Sequence, residues 1–380
     1  MSPAEDQLGL FSPGEMPVKE PTSRARPVAA ARPDEEHERL ARELPPGLYL
    51  GTSSWSFPGW AGIVWERPES QTRLARHGLP AYAQHPLLTG VGIDRSYYQP
   101  LPAEEYRRYA DAVPRDFRFL VKAHEALTVS RWPDRDRYGT RRGLENHRFL
   151  DPVYAAEEVV GPFQEGLGET AGPLVFQFAP QDLGTVDRFI DKLYRFLIRL
   201  PEGPVYAIEL RNREVLTSRY AALLEETGAV HCLNRHPRMP TVAEQARAVG
   251  AVSEKTANAE TPNDDGGGEA GGEPGGGDAA GGDGQPTLLA ADKPLVCRWM
   301  LRPGLTYQGG YQRYHPFNRR VDDDAETRGA LAELALAASA NRQPVYVTAN
   351  NKAEGCAPLT IFQLSAEIAH RARRPAEAGD

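Results

Sequence analysis

The sequence predicts an α/β fold, a single (β/α)8 TIM barrel, and two observations carry that expectation. Eight short runs rich in β-branched, aromatic and other apolar residues recur along the chain, at Leu48–Ser53, Thr89–Asp94, Phe117–Lys122, Leu174–Phe178, Val205–Leu210, Ala229–Asn234, Leu295–Leu301 and Val345–Ala349. Helical patterns fill most of the gaps between them, and strands that alternate with helices form parallel sheets. Eight such units within 380 residues fit a closed barrel, whose functional residues gather at the C-terminal ends of the strands. Most of the runs end in polar or charged residues. This sets Ser53, Asp94, Lys122, Glu209, Arg211, Asn234 and Asn350 around one mouth.

Residues 1–46 come first and are rich in Pro, Ala, Glu and Arg, with no apolar signal-peptide core, so they read as a disordered leader. The barrel is expected over 47–374 and a frayed tail over 375–380. No apolar run reaches membrane-spanning length; a cytoplasmic protein without membrane contact is the default expectation. Between the strands, Val186–Leu200 places Val186, Phe189, Ile190, Leu193, Phe196, Leu197 and Leu200 on one helix face, with Arg188, Lys192, Arg195 and Arg199 in the remaining positions. That stripe should pack on the barrel wall. Pro102–Val113, Leu216–Thr227, Ala325–Ala340 and Thr360–Arg373 also read as helices. Residues 253–287, between the sixth and seventh strands, read as a flexible insert: Gly-rich, acidic and too poor in large apolar residues to offset the entropy of ordering.

The same insert distorts the charge balance. Ser253–Pro286 carries eight acidic residues against Lys255 alone, so it holds all but one of the chain's eight net negative charges. The remainder is close to neutral, and an anionic substrate is not excluded. Cys232, Cys297 and Cys356 are odd in number and lack close pairs, which argues against disulfides or a zinc site. Cys232 and Cys297 read as buried strand residues; Cys356, after a glycine, is better placed for reactivity.

Two connections on the mouth side are long. His124–Phe149 carries six arginines interleaved with Trp132 and Tyr138, and Arg302–Arg320 carries Tyr307, Tyr311, Tyr314, His315 and Phe317. Loops on this face decide what a barrel binds.

Candidate chemistry follows from the strand ends. Glu209 and Arg211 lie two apart and so share a face; Glu209 suits a general acid, base or nucleophile, and Arg211 a carboxylate or phosphate clamp. Lys122 either pairs with an anion or, if its pKa is depressed, forms a Schiff base. Asp94 is the third catalytic candidate; coupled with Glu209 it would suit glycoside hydrolysis, with Tyr97 and Tyr98 as sugar platforms or simple rim packing. Gln177, Asn350, Asn351, Arg298, Ser53 and Trp55 complete the substrate-binding set, with Trp55 and Trp60 either stacking on a ligand or plugging the top. Lys122, Glu209 and Arg298 come from odd-numbered strands, which share an interior layer, so they should meet as a cation–anion–cation cluster with surplus positive charge. The scattered histidines give no metal set, and no GxGxxG or P-loop pattern marks a cofactor; none is expected.

Several blocks together resemble the domain of unknown function 72 family, also called YecE-like, a set of bacterial and archaeal TIM-barrel proteins. They are Gly51–Ser56 with Pro58, Gly59 and Trp60, then Ile93–Tyr98, Phe119 with Val121–Ala123, Gly172–Pro180, Ile208–Arg211, and Val345–Asn351 with Gly355. The resemblance implies the barrel and its mouth, not a reaction. The chain departs from the family pattern at Gly92, where an acidic residue is frequent, and at Asp94, where Asn is usual. Met300-Leu301 and Thr360-Ile361 replace His-Gly and Asn-Ala, so activity in this member would be altered or lost if those positions act chemically.

These readings lead to a metal-independent hydrolase- or lyase-type enzyme acting on a small anionic or sugar-like molecule. The alternative is a non-catalytic nucleic-acid- or ligand-binding barrel, drawn from the Arg-rich loop 131–148, since single strands are held by positive charge and stacking aromatics. Asp134, Asp136 and Glu145 dilute that patch.

Overall fold

Eight parallel strands close edge to edge in chain order in the computed structural model, which describes residues 26–250 and 293–373. They are β1 (Leu48–Thr52), β2 (Gly90–Ile93), β3 (Arg118–Lys122), β4 (Ala171–Gln177), β5 (Tyr206–Glu209), β6 (Val230–Arg235), β7 (Leu295–Trp299) and β8 (Val345–Ala349). β8 returns to pair with β1 along its full length, Leu48 opposite Val345 and Thr52 opposite Ala349. Each expected run is a strand. Ser53, Asp94, Arg211 and Asn350 fall just past the strand ends, in the loops of the mouth.

The two-residue period of a strand sorts the side chains between two environments. Leu120, Val175, Ala207, Cys232, Val296 and Tyr346 form one buried apolar cluster inside the barrel. Two residues further along each of these strands stand Lys122, Gln177, Glu209, Asn234, Arg298 and Thr348, all buried. A polar layer thus sits directly on an apolar floor. The alternating residues, such as Phe119, Leu174, Phe176 and Ile208, face outward into the large helix-facing core. Helix Val186–Leu197 lays Phe196 edge-on against Phe176 and Phe189 against Phe178, each at 5.3 Å between ring centres. Burying each such ring contributes about 1.5–3 kcal/mol.

β1 and β2 approach closely at Gly51 and Gly90. A Cβ on Gly51 would stand 1.8 Å from the carbonyl oxygen of Gly90, so only glycine fits. Tyr82 locks the seam, its hydroxyl accepting from Thr52 N at 3.0 Å and donating to Gly90 O at 3.1 Å. At Gly92 a Cβ would lie 2.8 Å from Ser53 O. The frequent acidic residue of this position would force the end of β1 aside.

The expectation of disorder through residue 46 fails for residues 26–46. Ala30 bridges Trp65, and Glu35–Glu43 is a helix, with Glu36 and Glu43 paired to Arg39 at 2.6 and 2.7 Å. Its buried Leu40, and His37 against Phe362 at 4.4 Å, dock it on the final helix Ala357–Arg373. Composition hid this helix because it buries only one large apolar side chain and relies on a surface completed by the far end of the chain. Cys356 also departs from expectation: it is fully buried, and burial pushes its thiol pKa up, so it is not a reactive thiol. The final helix starts at Ala357 rather than Thr360, which puts Thr360 and Ile361 in helix packing, away from strand ends. Residues 1–25, the insert 253–287 and the tail 375–380 lie outside the described residues. No described helix is long and apolar enough to cross a membrane.

Two measurements check this architecture. Leu40→Ala should cost about 2–3 kcal/mol in urea unfolding, as a large-to-small change at a docked site does; no loss would mean the N-terminal helix does not dock. Deleting 266–284 should leave Tm nearly unchanged, and a large drop would show that the insert packs.

Candidate active site at the barrel mouth

The polar layer is organised by one carboxylate. Glu209, at the end of β5 and fully buried, accepts from Arg298 Nη1 at 2.6 Å and forms an ion pair with Arg211. The Arg211 contact is electrostatic without hydrogen-bond geometry. Burial alone would raise the pKa of Glu209, but Arg211 and Arg298 outweigh it and hold the carboxyl below its ordinary value, so it stays ionised. Arg298 in turn reaches Asp94, its Nη2 donating to both carboxylate oxygens at 2.9 and 3.2 Å, and its Nη1 donates to Gln177 Oε1 at 3.3 Å. Asn234 positions Arg211: its Oδ1 accepts from the guanidinium while its Nδ2 donates to Leu210 O and Cys232 O.

The expected cluster therefore forms, with a change of partner. Arg211 is the second cation in contact with Glu209. Lys122 stands beside them with its Nζ 3.7 Å from the centre of the Tyr97 ring, a cation–π seat. Burial brings the Lys122 pKa down to about 8; Asp94 and Glu209 oppose that fall, while Arg298 and Arg211 add to it. Asp94 is the member that reaches the opening, its side chain 22% exposed.

The remaining predicted residues divide between mouth and scaffold. Ser53 Oγ accepts from Asn350 Nδ2 at 2.9 Å, joining the first and last strand ends. Asn350 Oδ1 accepts from Lys352 N at 3.0 Å. Asn351 is scaffold: its Oδ1 takes protons from Trp60 Nε1 at 3.1 Å and Ala357 N at 2.8 Å. Trp55 packs edge-on against Tyr109 at 5.4 Å. Lys122 lies over the Tyr97 ring and Arg137 over the Tyr98 ring at 5.1 Å.

Sequence reasoning missed Lys352, in the short helix Asn351–Glu354 that follows β8. It is buried, with Nζ 3.9 Å from the centre of the Tyr307 ring and 3.4 Å from Asn350 Oδ1, and burial brings its pKa down to about 8 against the pull of Asp94. Its signal was available as a lysine three residues past the last strand. Above the network the cleft is lined by Tyr97, Tyr98, Arg135, Arg137, Arg211 and Arg238 among others. His236 shares it, kept neutral by burial and by Arg211 and Arg238. Among the described residues no three His, Cys, Asp or Glu side chains group to hold a metal ion.

The family model described as protein of unknown function DUF72 matches residues 49–379. A DUF72 family crystal structure from Enterococcus faecalis is similar at 18% identity, covering 84% of this chain and 95% of that one with a TM-score of 0.50. Another, from Thermotoga maritima, is similar at 15% identity over 84% of this chain and 98% of that one, with a TM-score of 0.49. No curated protein matches the chain.

Glu209→Gln should destabilise the protein by about 3–5 kcal/mol, because it leaves two guanidinium groups buried without their shared anion; a change within error would show the pair to be solvated. The lysines add a pH signature. With folded pKa values near 8 for Lys122 and Lys352, below about 10.4 in the unfolded chain, the unfolded state binds more protons between those limits. Stability should therefore rise with pH from about 8 toward 10. Urea unfolding at pH 7.5 and 9.5 should show that gain, and Lys122→Met with Lys352→Met should remove it.

Proposed function

The chain belongs to the DUF72 family, and from that premise we propose that its barrel mouth is the active site of a lyase-type enzyme acting on a small anionic substrate. The observation that carries this reading is the excess of cations over one open face. Five arginines, Arg135, Arg137, Arg211, Arg238 and Arg298, gather there around Glu209, Asp94 and Glu125, the last paired to Arg137 at 2.6 Å. A bidentate guanidinium partner such as a carboxylate or phosphate is the chemical complement. In this reading Asp94 and Lys122, which share the edge of the network, move protons at the reacting carbon. A carboxylate beside a buried amine whose pKa is brought down to about 8 suits general acid–base chemistry.

Glycoside hydrolysis has less support. It needs one carboxyl held protonated as the acid, whereas Glu209 is held ionised by Arg211 and Arg298. Single-strand binding by the Arg-rich loop also has less support. Trp132 and Tyr138 are buried, and Arg141 and Arg137 already lie over their rings at 4.4 Å. The bases of a strand would have to displace those cations.

Inorganic phosphate should raise Tm by a few degrees at concentrations well above its Kd, an effect of about 2.7 kcal/mol at a hundredfold excess. Sodium chloride of equal ionic strength should not do so, and Arg238→Ala should weaken the phosphate effect. No phosphate effect, or retention on single-stranded DNA that falls steeply with salt, would reject this reading.

A further inference from the structure

Lys352 is the one mouth lysine absent from the charge network. Its ammonium form would have Asn350 Oδ1 at 3.4 Å and the faces of Tyr307 at 3.9 Å and Phe317 at 5.8 Å, and no carboxylate within ion-pair distance among the described residues. Lys122, by contrast, lies within the influence of two carboxylates, Asp94 and Glu209, and of two guanidinium groups, Arg298 and Arg211. A buried amine without an anion is retained at an energetic cost, since desolvation penalises its charged form. Neutral, it is a nucleophile whose natural electrophile is a carbonyl carbon. Its position just past β8 is where barrel enzymes place reacting groups, and Tyr307, partly exposed at the start of helix Tyr307–Tyr314, covers it.

We propose that Lys352 forms an imine with the carbonyl group of an anionic aldehyde or ketone bound in the mouth. The inference rests on the anionic-substrate reading and adds the reacting functional group. Lys352 Nζ attacks the carbonyl carbon and gives a carbinolamine. Nitrogen then loses a proton, the hydroxyl takes one and leaves as water, and a C=N bond replaces C=O. Nothing is oxidised or reduced. Asp94, whose charge is felt at Lys352 from beyond ion-pair distance, passes the proton from nitrogen to the departing oxygen through water. The imine nitrogen then takes one proton from water, and the protonated imine acts as an electron sink for cleavage or proton loss at the neighbouring carbon, the step a lyase requires.

The chain's lysines are Lys19, Lys122, Lys192, Lys255, Lys293 and Lys352, so reductive trapping can be read residue by residue. The full chain is incubated at pH 7.5 with glyoxylate, the smallest anionic aldehyde, and sodium cyanoborohydride, and the labelled lysine is located by peptide mass spectrometry. At that pH an amine of pKa about 8 has a neutral fraction roughly a hundredfold above an ordinary lysine. Labelling of Lys352 should exceed that of exposed Lys192 by at least about tenfold, fall when phosphate is added, and vanish in Lys352→Met, whose far-ultraviolet spectrum should match wild type. Label confined to surface lysines, or placed on Lys122, overturns the assignment. The phosphate-induced rise in Tm is measured on the same samples: if it persists while trapping fails, the imine is wrong and the anion site stands; if it is absent, the site reading itself has failed.

Discussion

A carboxylate with no exposure to solvent, held between two guanidinium groups, is the constraint on which the mouth of this barrel depends. Glu209 comes from β5, Arg298 from β7 and Arg211 from the turn beyond β5, and Arg298 continues the connection to Asp94 after β2. One ion network thereby spans the top of the barrel, crossing from the fifth strand to the second. Such groups tolerate burial only when every charge is answered. Moving any one strand end would leave the others unanswered, so the network fixes the mouth and keeps it polar. The apolar layer below, from Leu120 to Tyr346, excludes water from its underside and strengthens every interaction in it.

The charge of the site then follows from what the network leaves over. Two arginines meet Glu209 and Asp94 at its centre, Arg137 pairs with Glu125 at 2.6 Å, and Arg135 and Arg238 line the opening. Lys122 and Lys352 each sit against a tyrosine ring and each within the influence of Asp94. Arg298 and Arg211 disfavour protonation of Lys122, whereas at Lys352 burial acts alone against Asp94. Burial, more than any partner, sets their proton affinity, and so the depth of the pocket controls their chemistry.

The strands and the core of the mouth were legible in the sequence because both depend on period and position. A two-residue repeat that ends in Lys122, Gln177, Glu209 and Arg298 places those side chains on one inner surface whatever else the chain does. Asn351 and Trp55 were assigned to the mouth on position alone, and in the structure each serves packing through contacts with Ala357, Trp60 and Tyr109. Lys352 and its cover Tyr307 were missed as a pair for the opposite reason: their relation is set by the path of the long connection after β7, which no local pattern encodes. The N-terminal helix is the same case at larger scale, since the surface that holds Leu40 and His37 is supplied by residues more than three hundred positions away.

That last contact has a consequence for how the molecule comes into being. Helix Glu35–Glu43 and β1 are among the first described elements to emerge during synthesis, yet both find their partners in the last ones, Ala357–Arg373 and β8. The barrel cannot close until β8 has left the ribosome, and its first helix cannot dock until the final helix has followed. Through all that interval β1 presents an open edge of the kind that pairs indiscriminately with other chains. Its short length of five residues and the glycine one place from its end make it a poor template for such pairing, so a feature required for the fit of two strands in the finished barrel also guards the unfinished one.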